Sequence, residues 1–270
     1  MIKTKFLPLV LCLALAPLHA AAQTSVDEVV RLDVLDGGQT ARGTYLAALR
    51  LTLQDGGKTY WRAPGEAGIP PQFSWAGSQN VAATAITWPT PHVFDQNGMR
   101  SIGYKSQLVL PIEITPKQTD RRVRLRGEMQ LGVCREVCIP AELRFDRALD
   151  AGAGRHPAIA AALAARPYSA PEAEVTAVTC RTETAEDGLK LTAHIAMPSA
   201  GGAEYAVIEP GHPELWASEA EVSRNGAVLT VASDITKPGG GASGNSSSPP
   251  ASDHSTRRRR VGAGFSSSGM

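Results

Sequence analysis

Two cysteines stand four residues apart in Leu131-Gly132-Val133-Cys134-Arg135-Glu136-Val137-Cys138-Ile139-Pro140. A thiol pair so placed can close a disulfide, exchange disulfides with another protein, or hold a soft ion such as Cu(I). A bridge needs Cα atoms roughly 4.4–6.8 Å apart, which a short loop provides. Closing so short a loop adds little chain-entropy stabilisation, so the spacing favours a redox role over a structural staple. An inert disulfide and a metal site on Cys134 and Cys138 stay open as alternatives. Arg135 between the cysteines favours thiolates by its charge, and Glu136 opposes them.

The flanking residues say how the pair is held. Val123, Leu125, Met129, Leu131 and Val133 alternate into the stretch, and Leu143 and Phe145 alternate out of it. Two strands meeting at a tight connection place the cysteines side by side at the end of a hairpin. Pro140 fixes its own φ just beyond them. Upstream, Val26 to Leu53 is strand-like, with Asp36-Gly37-Gly38 and Asp55-Gly56-Gly57 read as turns. Thr59-Tyr60-Trp61 begins a third run, and the proline-rich 63–71 is loop. Phe73 to Trp75 and Val81 to Trp88 read as strands. Pro89, Pro91 and Asn97-Gly98 mark a long loop. Leu108 to Ile114 is a strand whose Pro111 points to an edge or a bulge. Short strands at this spacing predict an all-β chain built on a β-sandwich over 23–150.

Residues 151–171 are expected to be a linker, with a short Ala-rich helix from Pro157 to Ala165 that Pro167 ends. Strand patterns resume with Val175, Ala177 and Thr179, then Leu189 to Ile195, then Tyr205 and Val207. Asn225-Gly226 between Glu221-Val222 and Val228-Leu229 is a hairpin signal. A second, smaller β-domain over 172–236 is predicted, short enough to lack its last strand. Trp61 and Trp216 are read as core or domain-packing residues. From 237 to 270, Gly239 to Gly241, Ser246 to Ser248, Arg257 to Arg260 and Ser266 to Ser268 cannot build a core, which predicts a disordered tail.

The N-terminus looks like an export signal: Lys3 and Lys5, apolar Phe6 to Leu18, then Ala20-Ala21-Ala22 as the cleavage site. No later stretch approaches the ~20 apolar residues of a membrane span, so the mature chain is expected to be soluble. Cys12 leaves with the signal, and Cys134, Cys138 and Cys180 remain. An odd number of cysteines in an oxidising compartment leaves one free or paired outside the chain. For Cys180, a reactive thiol and half of a structural disulfide are the two readings; the second is preferred. A net charge of +1 without a basic field in the body argues against a nucleic-acid partner.

Trp88-Pro89-x-Pro91, Gly103-Tyr104, Leu108 to Ile114 and Cys134-x3-Cys138-Ile-Pro, in that order, resemble the N-terminal periplasmic domain of the DsbD thiol:disulfide interchange proteins, and most of all its ScsB-type branch. The resemblance covers Val26 to Asp150, and the branch also implies the second β-domain. It implies an immunoglobulin-like domain with a redox-active pair and no cofactor, a component of a protein-disulfide reductase in the periplasm. Electrons would come from a membrane-embedded DsbD-, ScsB- or CcdA-like donor and pass to periplasmic thioredoxin-fold proteins. The family pattern puts the partner-linked sulfur on Cys138, with Cys134 resolving. Phe94 matches the aromatic of a loop that caps the cysteines. His92 lies where DsbD has acidic residues, a place for a proton relay. Tyr104 matches a position that packs beside the site. DsbD spaces its cysteines more widely than the three residues between them here, and this sequence carries neither its membrane domain nor its thioredoxin-like domain, so the donor is expected to be another chain. The spacing is also similar to the Cys-x3-Cys-Pro of Sco-type copper chaperones. Those are thioredoxin folds, which the strand pattern does not fit, although thiolates suit Cu(I) and copper tolerance stays open as an alternative.

Overall fold

The computed structural model describes residues 26–237 apart from 66–67, 97–98, 186 and 213. The expected export segment up to Ala22, Cys12, Asn97-Gly98 and the expected tail from 238 onward lie outside the described residues. A short α1 (Val26–Val29) leads into ten strands: β1 (Val30–Gln39), β2 (Tyr45–Leu53), β3 (Lys58–Tyr60), β4 (Gln72–Ser74), β5 (Val81–Ile86), β6 (His92–Gln96), β7 (Met99–Lys105), β8 (Gln107–Pro116), β9 (Arg124–Cys134) and β10 (Cys138–Ala148). They form two antiparallel sheets, ordered β1-β2-β8-β5 and β10-β9-β3-β7-β6, with β4 also on β9. This is a β-sandwich, as the alternating patterns predict, of the immunoglobulin-like kind that the family resemblance implies.

The core lies where the alternation points. Leu49, Leu51, Leu108, Leu110, Ile112 and Ile114 from the first sheet meet Leu125 and Met129 from the second, all fully buried. Burial of each such side chain contributes about 1.5–3 kcal/mol. The outer face of the first sheet is covered by α2 (Pro157–Ala164), the Ala-rich helix the sequence predicts. His156 caps it by accepting the Ala158 N–H on Nδ1 at 3.2 Å. Its Ile159 packs against Leu35 and Ala48.

Three local readings change. Asp36-Gly37-Gly38 is a bulge inside β1, with the register shifting between Asp36 and Gln39. The turn chemistry is used to seat the connector: Asp36 accepts the Gly38 and Asp150 N–H groups through its two carboxylate oxygens. Gly38 is at φ +74°, and a Cβ there would meet the Ala153 carbonyl oxygen. Pro111 sits in an interior strand, not at an edge. Its carbonyl accepts the Thr87 N–H just past the end of β5, so its missing N–H faces the side where that neighbour has run out. The loop expected after Pro89 is a hairpin of β6 and β7, paired from His92↔Gly103 to Gln96↔Met99.

After α2 come β11 (Ala177–Ala185), β12 (Gly188–Ala196), β13 (Trp216–Ala217), β14 (Glu221–Asn225) and β15 (Val228–Thr236). They make one sheet, β11-β12-β15-β13, with β14 also on β15. Asn225 pairs with Val228 across the two-residue turn that Asn225-Gly226 announces. Ala193, Ile195, Leu229 and Val231 form a small second core. Tyr205 to Val207 is not a strand. Ala206 packs on this second core and Val207 on the first, so its alternation reflects burial between two units. The units are joined by Arg62–Glu209 and Arg100–Glu219 ion pairs.

Candidate redox site

Cys134 and Cys138 close the last rung of the β9–β10 hairpin as directly opposed partners. They form a disulfide with Cα atoms 4.0 Å apart, a little closer than the usual lower limit of about 4.4 Å. The three-residue tip is tied by the Arg135 N–H donating to the Val137 carbonyl at 3.2 Å. The two sulfurs differ in access. Cys134 is 2 % exposed, whereas Cys138 is exposed beside Val137 at the tip.

Register decides what surrounds them. Lys58 pairs with Cys134 on one side and with Lys105 on the other. Cross-strand partners share a face of the sheet, so Lys105, Lys58, Cys134 and Cys138 form one row on the outer face, away from the core. Two residues along, Tyr60 and His92 lie on the same face, and Phe94 follows two residues further. Cys134, Tyr60 and Phe94 are all buried yet belong to none of the hydrophobic cores. They belong to an outer cluster in which Tyr60 lies against both sulfurs and Phe94 against the ammonium groups of Lys58 and Lys105.

Tyr60 is the residue closest to the chemistry. Its hydroxyl lies 3.1 Å from the Cys134 Sγ and 3.4 Å from the Cys138 Sγ. Its ring leans across Gly132, where a Cβ would stand 3.2 Å from the ring and 3.3 Å from Ile69. Burial pushes the Tyr60 phenol above its ordinary value, so it stays a donor through the neutral range. Lys58 is buried at 6 % exposure, and its ammonium is lowered below the ordinary lysine range by desolvation and then by Lys105. Both lysines hold the Phe94 ring, with Nζ atoms 5.5 and 5.0 Å from its centroid.

The other sequence candidates fall as follows. Phe94 lies on strand β6, not in a loop, because β6 finds a partner in β7. His92 is exposed, its ring 6.4 Å from that of Phe94. Tyr104 is on the opposite, core-facing side of β7, beneath the row. Its hydroxyl donates to the Pro89 carbonyl at 2.8 Å, and burial holds it far above the ordinary phenol range. Arg135 reaches back over Gly56, and Glu136 is exposed. Cys180 is an exposed free thiol on β11, the edge strand of the second unit, remote in the fold from the hairpin. Trp61 is core, while Trp216 is partly exposed at the cavity between the units. Among the described residues no three His, Cys, Asp or Glu side chains gather as a metal site.

Tyr60 and Lys58 were missed by reading motifs alone. Each sits in a three-residue strand, and only the long-range pairing to β9 brings it to the cysteines. The outward alternation Lys58, Tyr60 around inward Thr59 was the available signal.

Residues 24–150 match the family model described as "Thiol:disulfide interchange protein DsbD, N-terminal". This stretch belongs to the DsbD N-terminal family. It is therefore a thiol–disulfide exchange domain by family, and its cysteine pair is present here as a disulfide. The crystal structure of the N-terminal periplasmic domain of ScsB from Proteus mirabilis shares the fold, with a TM-score of 0.61 at 24% identity over 83% of this chain and 87% of that one. That share of the chain is larger than the 24–150 stretch by itself. Comparison with curated proteins yields no match.

The β6–β7 hairpin is also held from behind. Arg100 on β7 pairs with Glu219 at 2.7 Å and lies 5.4 Å from the Tyr205 ring centroid, both in the second unit. A half-exposed ion pair and one cation–π contact are together worth about 1 kcal/mol. Arg100→Ala is expected to speed amide hydrogen exchange of residues 92–96 about fivefold, a factor that such a loss corresponds to. Exchange in β2 and β8 should not change. Equal acceleration across the sandwich would mean that Arg100 supports global stability instead.

Proposed function

We propose that the chain is an exported thiol–disulfide exchange protein that passes electrons, through Cys134 and Cys138, from a membrane-embedded reductant of DsbD, ScsB or CcdA type to periplasmic thioredoxin-fold proteins. The observation that carries this is the asymmetry of the disulfide: Cys138 exposed, Cys134 buried under a hydroxyl that reaches both sulfurs. In the loading step a donor thiolate attacks the Cys138 Sγ. The Cys134–Cys138 bond breaks and its electron pair passes to the Cys134 Sγ, where the Tyr60 O–H donates. The donor's second thiolate then attacks the donor sulfur of the mixed disulfide, releasing Cys138 as a thiolate and the donor as a disulfide. In the delivery step the Cys138 thiolate attacks a partner disulfide. The Cys134 thiolate then attacks Cys138, reforming the internal bridge and releasing the reduced partner. His92, exposed at the edge of this face, is positioned to exchange protons with solvent.

A redox titration of the mature chain against dithiothreitol tests the reading. A cycling pair should equilibrate above about −300 mV, the region below which structural bridges usually lie. A value well below that would make the bridge a structural one and the chain a β-sandwich adaptor.

A further inference from the structure

We infer that Lys58 is the charge partner of the Cys134 sulfur, taking up the negative charge that appears there when the bridge opens. This rests on the pair cycling between disulfide and dithiol. Lys58 is the cross-strand neighbour of Cys134, on the same face and in the same row. It is buried at 6 % exposure in the outer cluster rather than in the core. Its ammonium lies 5.5 Å from the Phe94 ring centroid, with the Lys105 ammonium 5.0 Å from the same centroid. A desolvated cation beside a second cation gains most from an anion formed next to it.

In the oxidised protein the neighbouring sulfur is neutral. When a thiolate attacks Cys138, the electron pair of the broken S–S bond moves to Cys134, which is too buried to be stabilised by bulk water. Tyr60 donates one hydrogen bond to that sulfur, and Lys58 supplies the net charge. The remaining charged and titratable groups around the row are Lys105 on β7, His92 and Asp95 on β6, and Arg135 and Glu136 at the hairpin tip. Of these, Lys105, His92, Asp95, Arg135 and Glu136 are all exposed, so water screens them more than it screens Lys58. A lower leaving-group pKa makes Cys134 depart faster, so Lys58 assists opening without touching the partner.

The test uses the mature chain with Cys138→Ser, which leaves Cys134 as the thiol of the hairpin, in a Cys180→Ser background. The pH dependence of its alkylation by iodoacetamide should move upward by about one unit in Lys58→Met and stay near the parent in Lys58→Arg. With both hairpin cysteines present, Lys58→Met should slow reduction of the bridge by dithiothreitol several-fold. Lysine-selective NMR of the otherwise unaltered chain needs no substitution at 58: titration of the Lys58 Nζ should shift upward when the bridge is reduced, the reciprocal of its effect on the thiol. An unchanged alkylation profile in a folded Lys58→Met variant, or a Lys58 titration indifferent to reduction, overturns the inference. The change in the rate of dithiothreitol reduction between the parent and Lys58→Met reports on Lys58. Partner trapping reports on the exchange function, so either can fail without the other.

Discussion

Cys134→Ala is expected to accumulate a mixed disulfide through Cys138 in the exporting cell, and Cys138→Ala to accumulate almost none. The expectation follows from access and from order of attack. Cys138 is exposed at the hairpin tip beside Val137, which is 73% exposed, while Cys134 is 2% exposed. An incoming sulfur must approach along the line of the bond it breaks, and only Cys138 offers that approach. Without Cys134 nothing on this chain can resolve the adduct, so it persists. Without Cys138 the remaining thiol lies buried beneath Tyr60 and meets no partner. Steady-state exchange should fall to background in both variants, because each removes one of the two sulfurs the cycle requires. Non-reducing electrophoresis after acid quenching, followed by mass spectrometry of the adduct, reads the result. Predominant trapping through Cys134 would reverse the assignment, and no adduct with either variant would remove the exchange function. Cys180 must be replaced in both variants, since it is itself an exposed thiol.

How far the sequence carried this picture depends on the distance over which each residue acts. The hairpin was legible because its information is local. Alternation runs up to Cys134 and away from Cys138, and the two residues are each other's partners across a three-residue tip. Asn225-Gly226 and the helix after His156 were legible for the same reason. The β6–β7 hairpin departs from the loop expected there, because prolines and an Asn-Gly dipeptide so close together read as one loop. Asn-Gly between two strand-length runs is in fact a hairpin signal, and the prolines only precede the first run. Asp36-Gly37-Gly38 departs in the opposite sense: turn chemistry there serves a bulge under a crossing connector. The site's polar and cationic members were not legible. Lys58 and Tyr60 lie over seventy residues before the cysteines, with |i−j| of 74 between Tyr60 and Cys134. No spacing rule links them, and the connection is made by sheet order alone. Tyr205 to Val207 shows the remaining ambiguity: alternation records two-sided burial, and a strand is only one way to bury two sides.

Phe94→Ala is expected to speed oxidation of the reduced pair by a small oxidant such as diamide some five- to thirtyfold, the range that a loss of about 1–2 kcal/mol corresponds to. Phe94 is 9% exposed on the outer face, where an aromatic ring would ordinarily stand in water. It is kept down by two ammonium groups at 5.5 and 5.0 Å from its centroid, each contact worth about 0.5–1 kcal/mol. One of those groups, Lys58, is the neighbour of Cys134, so the ring closes the row from the β7 side as Tyr60 closes it from above. Truncation removes both contacts and lets water reach Lys58. Desolvation is the larger cause of the lowered Lys58 value, so its titration should move back up toward the ordinary lysine range in the variant. Better hydration of Lys58 and easier entry of small reagents have one cause, and the two readouts should change together. A thioredoxin-fold partner already reaches Cys138 at the open tip, so delivery to it should change less than oxidation by diamide does. The ratio of the two rates is therefore the informative quantity. If oxidation by diamide is unchanged in a folded Phe94→Ala variant, the ring is packing on the sheet and does not guard the pair. If both rates rise equally, it hinders access without selecting between a protein partner and a small oxidant.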